Sequence, residues 1–200
     1  MTLQVSHTVT GRRSDSRQRI LDTARGLFSE GSYLGVSMSD IAERLGVTKA
    51  ALYYHFSSKR EIYENVLDQV HADLERILRA DDGGLRPAER LRGMIAGYLE
   101  FGMREKNLIA AAMTQLSPVE GSVRDFLGGL RDDVLNAFTK VIDEVHTQAE
   151  RASVLSSRTL AAMLTAMLDG LVLEGSLSDE PIDTDVASRQ IVSALGIADT

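Results

Sequence analysis

Apolar residues recur at every third or fourth position along most of this 200-residue chain. This spacing matches one face of an α-helix, whereas almost no segment alternates with the period of two that is typical of a half-buried strand. Gly, Pro and Ser residues cluster between the periodic runs, where helices are expected to end. The pattern therefore predicts an all-α fold of about nine helices.

The first two predicted helices have clear end signals. Helix one is expected to begin near residues 14–16 and to end at Gly31 in a left-handed cap, so residues 1–13 are predicted to form a disordered tail. The second helix begins at Ser37, because Asp40 three residues later completes a pair that resembles a capping box. The acidic side chain also favours the positive end of the helix dipole.

A short third helix and a long fourth helix follow. Gly46 is expected to close helix two, and Thr48 to cap a third helix that runs to about His55. Ser58 and Glu61 form a second S-x-x-E box, which predicts the start of helix four. Its end and the five later helices are predicted from breakers and apolar stripes: a stop at 81–84, then helices at 87–105, 108–116, 122–150, 156–174 and 184–195.

Charge is distributed unevenly along the chain. The net charge of −7 would by itself argue against a nucleic-acid partner. However, residues 1–60 contain nine Lys or Arg against five Asp or Glu, whereas the rest contains thirteen against twenty-four. A basic N-terminal part and an acidic remainder predict that only the N-terminal part meets phosphate.

Composition excludes several other classes of protein. A hydrophobic content of 44% is enough for a sizeable core, and the absence of Cys removes disulfides and thiolate chemistry, as expected for the cytoplasm. The N-terminal residues lack the features of a signal peptide, and the longest uncharged helical run, 159–168, is too short to span a bilayer. No membrane partner is therefore expected.

Residues 37–56 have the spacing of a helix-turn-helix. The small Ala42 lets two helices approach, Gly46 supplies the positive φ of a sharp turn, and Val47 and Leu52 fill the angle between the helices. A structural αα-hairpin could use the same devices. The outward positions of the third helix favour DNA, because they offer phosphate donors, a base-edge donor and flat rings: Thr48, Lys49, Tyr53, Tyr54 and His55.

These residues resemble the signature of the TetR family of transcriptional regulators. Residues 36–56 read VSMSDIAERLGVTKAALYYHF and residues 57–62 read SSKREI, while the preceding helix contains ILDTA at 20–24 and LFSEGSY at 27–33. The specific match covers about 17–66. Departures are small: Ser32 precedes Tyr33 where Gly is common, and Ala50 stands where Gly is frequent.

The resemblance implies a set of DNA contacts. Thr48 and Lys49 would meet phosphate or bases, Tyr53, Tyr54 and His55 would touch backbone and groove edges, and Lys59 another phosphate. Ser37, Ser39 and Arg44 would reach the flanking strand. Tyr54 and His55 have packing as an open alternative, whereas Phe56 is expected in the core. The resemblance also implies three parts: the tail at 1–13, a DNA-binding domain at 14–60, and an effector-binding and dimerisation domain at 61–200.

Dimerisation is predicted from the helix at 156–174, because its residues 159–168 are apolar almost all round. A second copy of the chain would cover the apolar surface that one chain leaves exposed. The last helix would join this helix in a four-helix bundle, as the family resemblance implies. Two DNA-binding domains related by a twofold axis would then bind a palindromic operator of double-stranded DNA. The predicted interface residues are Leu160, Met163, Leu164, Met167, Leu171, Ile191 and Leu195.

An apolar effector site is predicted in the middle of the chain, because Met and aromatic residues there can line a plastic cavity as well as fill a core. The residues assigned to it are Met94, Tyr98, Phe101, Met113, Phe126 and Met163. In the family, effectors bind in this region and helix four transmits the change. The expected function is repression that a small, mostly apolar molecule relieves.

Enzymatic function finds little support in the sequence. The four His residues have no metal-ligand spacing, and the chain has no Gly-rich phosphate loop and no G-x-S-x-G motif. Asp68 and His71 share a helical face and could ligate a metal, but a solvated pair is the favoured interpretation. No catalytic residue, metal or cofactor is therefore expected. A helical adaptor that binds only proteins is the remaining alternative, but this function would not explain the basic N-terminal part of the chain.

Overall fold

The computed structural model describes the backbone of residues 6–79, 84–114, 121–148, 155–177 and 182–196, and their side chains except at 6–14, 32, 110–114, 121–124, 176 and 177. These residues form eight helices and no strand, which confirms the all-α prediction. The helices are α1 (Ser6–Gly35), α2 (Met38–Leu45), α3 (Lys49–His55), α4 (Lys59–Leu78), α5 (Pro87–Thr114), α6 (Gly121–Gln148), α7 (Ser157–Leu177) and α8 (Thr184–Ala194).

The chain divides into two compact units. We call residues 1–70 and 107–117 the head unit, and residues 71–106 and 118–200 the body unit. The helices α4 and α5 each contribute residues to both units. This division assigns the first half of α4 to the head, whereas the sequence placed a domain boundary at residue 60; that boundary stays a prediction.

Two predictions about α1 were wrong. The helix begins at Ser6, so residues 6–13 are helical where a disordered tail was expected. It also continues past Gly31 to Gly35, and the glycines with positive φ in the described residues are Gly46, Gly84 and Gly196. Gly31 therefore adopts a helical conformation, because a glycine only permits a left-handed cap and does not impose one.

The predicted helices at 87–105 and 108–116 are one helix. Residues 87–114 form the continuous α5, because nothing between Glu105 and Leu108 breaks the backbone hydrogen-bond pattern. Asn107 lowers helix propensity only slightly, and its side-chain amide donates to the carbonyl of Ser29 at 2.9 Å. The amide bond joins the last part of α5 to α1 within the head unit.

The apolar stripes predicted from the sequence form the two cores. In the head unit, the buried residues include Ile20, Ala24, Leu27, Phe28, Ile41, Leu52, Phe56, Ile62 and Val66. In the body unit, α6 packs on α7. The buried residues of these two helices include Val134, Phe138, Val141, Ile142, Ala161, Leu164 and Leu168. No helix in the described ranges is long and apolar enough to cross a membrane.

Candidate nucleic-acid interface

The helix α2 has the cap predicted for it. The Ser37 hydroxyl accepts a hydrogen bond from the backbone N–H of Asp40, and the Asp40 carboxylate accepts one from the N–H of Ser37 at 2.7 Å. These hydrogen bonds to Ser37 lower the pKa of Asp40, with a smaller contribution from the charges of Lys49 and Lys59. The capping box satisfies two N–H groups that a helix start leaves without intrahelical partners.

The turn between α2 and α3 depends on Gly46. This residue has φ 69° and ψ 34°, and its N–H donates to the last carbonyls of α2. Glycine adopts this left-handed conformation without the Cβ clash that other residues meet. Thr48 then caps α3, because its hydroxyl oxygen accepts from the N–H of Ala51 at 3.2 Å. Both positions are as the sequence predicted.

The short helix α3 is held by one buried side chain and is otherwise mostly exposed. Leu52 is fully buried, and Phe56 directly after the helix is 1% exposed, so the prediction of Phe56 as a core residue is confirmed. Tyr53 and Tyr54 are 53% and 66% exposed. Thr48 and Lys49 are also exposed, whereas His55 is half-buried. The ring of His55 lies edge-on to that of Tyr54, with centroids 5.1 Å apart.

Lys59 has a structural role that the sequence did not reveal. Its ammonium donates to the carbonyls of Tyr33 and Val36 at 2.8 and 2.9 Å, and it lies over the Tyr33 ring at 4.1 Å. Partial burial lowers the pKa of Lys59, an effect that Asp40 opposes. The side chain therefore links the start of α4 to the end of α1. Its predicted phosphate contact would have to use the remaining N–H.

Arg44 and Ser39 also lie at the predicted surface. The Arg44 guanidinium pairs with the carboxylate of Glu30 on α1 at 3.1 Å, and both side chains are more than half exposed. Such an exposed pair stabilises the fold little and exchanges readily for another anion. Ser39 is half-buried on α2. The DNA contacts predicted for Ser37, Ser39 and Arg44 therefore stay predictions.

Arg17 is a positioning residue that sequence reasoning missed. Its guanidinium donates to Asn65 Oδ1 at 2.8 Å and to the carbonyl of His55 at 3.4 Å, and it lies 4.2 Å from the centre of the Phe56 ring. It thereby holds the end of α3 and the first half of α4 against α1. No local spacing could have indicated a contact between residues so far apart in the sequence.

An aromatic cluster supports this surface from within the head unit. The Tyr63 ring packs against Phe28 and Tyr33 with centroid distances of 5.1 and 4.7 Å, and its hydroxyl donates to the carbonyl of Leu108 at 3.5 Å. Burial, with a smaller contribution from Tyr33, raises the pKa of Tyr63 to about 12. The folded head unit therefore favours the neutral form of the Tyr63 phenol.

We expect Tyr63 to make the fold sensitive to alkaline pH. Because the pKa of Tyr63 is raised in the folded state, its contribution to stability is complete below the ordinary value of 10.0 and is lost as pH rises through about 12. Tyr63→Phe should lose less stability than the unchanged protein across this window, as measured by denaturant unfolding at a series of pH values. Parallel pH dependences for the two proteins would contradict the assignment.

A cavity of about 670 Å³ lies in the body unit. It is bounded by the end of α4, the start of α5 and the middle of α6. Apolar and charged side chains share its wall, which includes Ile77, Leu78, Leu85 and Met94 together with Glu75, Arg79, Glu89, Arg90, Asp133 and Lys140. This wall is more charged than the apolar site that the sequence predicted.

Only Met94, among the described residues of the predicted effector set, lies on this wall. Phe101 is buried in the core, and Met163 is 58% exposed on α7. The Tyr98 hydroxyl donates to Asp169 at 2.7 Å, and the Phe126 ring lies edge-on to His71 at 5.8 Å. The side chain of the sixth member, Met113, is outside the described residues. Their ligand contacts stay predictions.

The predicted dimer residues divide into two groups. Leu164 and Ile191 are buried within the chain itself, and Leu160, Leu171 and Leu195 are half-buried. Met163 and Met167 are exposed. On α7 they share a face with Ala166, Gly170 and Leu173, which are also exposed, and the exposed Asp169 and Glu174 border this apolar face. We call the five residues Met163, Ala166, Met167, Gly170 and Leu173 the α7 stripe.

Comparison with known proteins agrees with this arrangement. Residues 20–66 match the model of bacterial regulatory proteins of the tetR family, and residues 87–196 match that of the C-terminal part of BetI-type transcriptional repressors. The HTH-type transcriptional repressor DhaR of Mycobacterium sp. (strain GP1) is 28% identical over 175 residues, which cover 86% of this chain and 88% of that protein. For the repressor BepR of Brucella suis biovar 1, the identity is 26% over 91% of this chain and 90% of the relative.

A solved structure shows the same fold. The transcriptional regulator from Saccharomonospora viridis, determined in complex with choline, superposes with a TM-score of 0.74 at 24% identity, over 91% of this chain and 95% of that one. The second family match alone covers more than half of the chain, and the first covers the helix-turn-helix. The chain therefore belongs to the TetR family of bacterial transcriptional regulators, with a C-terminal part of the BetI type.

Proposed function

We propose that this protein is a homodimeric repressor that binds a palindromic operator and releases it when a small effector occupies the body unit. The observation that carries the proposal is the exposure of α3. Six of its seven residues are exposed or half-buried, and Leu52 is the only one in the core. A helix placed only to complete a core would bury a wider face.

The side chains exposed on α3 and at its N-cap suit a DNA groove. Lys49 offers an ammonium to phosphate, the Thr48 hydroxyl can donate to phosphate while its oxygen caps the helix, and the rings of Tyr53 and Tyr54 offer hydroxyls on flat surfaces. These four residues form the centre of the proposed contact. Lys59 and Arg17 support it by holding α1, α3 and α4 in place.

Lys49→Ala and Tyr54→Ala test the contact directly. We expect each substitution to weaken binding to the promoter region beside the protein's own gene by about tenfold, which is about 1.4 kcal/mol. Lys49→Ala should also make the salt dependence of binding less steep, because fewer counterions are released. Fluorescence anisotropy at several salt concentrations measures both effects.

Arg131→Ala is the matched control, since Arg131 is an exposed basic residue on α6 that does not line the cavity. It should leave DNA affinity unchanged, and the melting temperatures of all three variants should stay close to that of the unchanged protein. A loss of stability in Tyr54→Ala that parallels its loss of binding would assign Tyr54 to packing. Absence of salt-sensitive DNA binding by the unchanged protein would overturn the proposed function.

The proposed dimer uses the α7 stripe. Its five residues are apolar or glycine and face away from the core, although monomeric proteins rarely expose contiguous apolar surfaces of this kind. At Gly170 a Cβ would meet no atom within 4 Å, so the surface above it is open. Leu173 and Val186, at 63% and 38% exposed, extend the same apolar character beyond the residues predicted from the sequence.

The proposed effector site is the cavity in the body unit. The mixture of apolar and charged side chains on its wall favours a small molecule with an apolar part and a charged or polar group. The structural relative was determined with choline, a molecule with both an apolar and a charged character. This supports an amphiphilic effector in place of the mostly apolar effector expected from the sequence.

Release of DNA would follow from a shift between two states. The effector must bind the state with low DNA affinity more tightly than the other, since equal affinity shifts nothing. On the cavity wall, Glu75, Ile77 and Leu78 belong to α4, the helix that also carries Lys59 and Tyr63. A change in the cavity therefore acts on a helix whose other end supports the proposed DNA surface.

A further inference from the structure

Three potential metal ligands meet in the body unit, where α4 lies beside α6. His71 and Glu75 are one helical turn apart on α4, and Asp133 comes from α6. His71 Nε2 lies 2.7 Å from Asp133 Oδ2, and the ligand atoms of all three side chains are within 4.8 Å of one another. From these positions we infer that His71, Glu75 and Asp133 bind a divalent first-row transition-metal ion.

The separations fit a metal centre. Ligands held at about 2.0–2.2 Å from an ion are about 3 Å apart in neighbouring positions and about 4 Å apart in opposite ones. The 2.7 Å between His71 and Asp133 and the upper limit of 4.8 Å for all three pairs are compatible with these values, so small side-chain rotations bring the three atoms around one ion. Half-burial of all three side chains limits competition from water without closing the site.

A His–Asp ion pair is the simpler explanation, but it does not account for Glu75. A histidine needs one carboxylate to orient it, and a second carboxylate nearby adds repulsion between like charges. Arg79 offsets part of this repulsion, because its guanidinium donates to Glu75 Oε1 at 2.7 Å. However, the Arg79 side chain is largely exposed and can turn away into solvent. A bound cation neutralises both carboxylates at once.

The neighbouring residues fix the histidine. The ring of Phe126 meets that of His71 edge-on at 5.8 Å. A Cβ at Gly129 would lie 3.9 Å from His71 Cε1, so the glycine leaves space beside the ring. The contact with Phe126 therefore restricts the ring on one side, and orientation of this kind favours a metal-binding histidine. Asp68, the partner considered from the sequence, is exposed and is not part of this group.

The ligand set selects the type of ion. Mg²⁺ and Ca²⁺ prefer sites made of oxygen atoms, whereas one imidazole with two carboxylates suits Zn²⁺, Co²⁺, Fe²⁺ or Mn²⁺. Three protein ligands leave coordination positions open to water or to another ligand. Glu75 and Asp133 also line the cavity described above, so these positions would face its interior.

Titration of the full-length protein with Zn²⁺ tests the inference, with calorimetry as the measurement. We expect one ion per chain, at least tenfold weaker binding in His71→Gln and in Asp133→Asn, and no competition from Mg²⁺. Asp132→Asn is the matched control, because Asp132 is the exposed neighbour of Asp133 in α6. Co²⁺ should give visible absorption bands that the same two substitutions abolish.

Melting curves keep the test decisive if a variant folds poorly. Zn²⁺ should raise the melting temperature of the unchanged protein and of Asp132→Asn, but not that of Glu75→Gln, which keeps its shape and loses its charge. Equal Zn²⁺ binding by Asp132→Asn and Asp133→Asn, or no binding by the unchanged protein, would overturn the inference. DNA binding measured with a chelator present is independent of this result and tests the proposed function separately.

Discussion

Leu52→Ala is expected to destabilise the head unit by about 2–5 kcal/mol, the range for removing a fully buried leucine side chain. Leu52 is the one buried residue of α3, so no other side chain of that helix anchors it in the core. Loss of the side chain leaves a space in the core that the surrounding residues can fill only by shifting α3. DNA affinity should therefore fall together with stability.

Lys49→Ala serves as the comparison, because Lys49 lies on the same helix and is exposed. It should change stability by no more than about 0.5 kcal/mol, as is usual for surface substitutions. Denaturant unfolding of the two variants gives the contrast, and DNA binding at a temperature where both are folded completes it. Unchanged stability in Leu52→Ala would mean that α3 is held by contacts other than its own side chain.

The local features of the head unit were predictable because each is encoded within a few residues. The Ser37–Asp40 capping box, the left-handed Gly46 and the cap at Thr48 all depend on spacings of three residues or on the conformation of one. The burial of Phe56 followed from the same kind of pattern. Short-range stereochemistry therefore gave the turn and the direction of α3.

Contacts over long sequence separations could not be predicted in the same way. Arg17 reaches Asn65, and Lys59 reaches the carbonyls that end α1, without any spacing that would signal either bond. The predicted ends of α1 and α5 were wrong for a related reason. A glycine or asparagine reduces helix stability modestly, and packing of the helix overrides such preferences.

The lining of the effector site could not be predicted from the sequence for the same reason. Met and aromatic residues identify apolar volume, but whether that volume becomes core or cavity depends on how α4, α5 and α6 pack. Phe101 is buried as core, whereas the cavity wall includes Glu75, Arg79 and Lys140, residues that composition assigns to a solvated surface. His71 and Asp133 likewise meet only through the packing of two helices.

The double substitution Met163→Asp with Met167→Asp is expected to convert the dimer to monomers and to abolish tight operator binding. Both side chains lie in the α7 stripe, at 58% and 41% exposed, so charge there costs one chain little stability. In a dimer, however, two copies would each bury two unpaired carboxylates in an apolar interface, at a cost of several kcal/mol. Light scattering at micromolar protein measures the change in mass.

Leu85→Asp is the matched control, because Leu85 is 54% exposed in the same unit but does not belong to the α7 stripe. It should leave the mass unchanged. Loss of the dimer should weaken operator binding far more than Lys49→Ala does, since a single head contacts one half-site and loses the avidity of two linked heads. A monomeric unchanged protein, or a double variant that still dimerises, would remove the α7 stripe from the interface. Tight operator binding by a proven monomer would show instead that one head is sufficient.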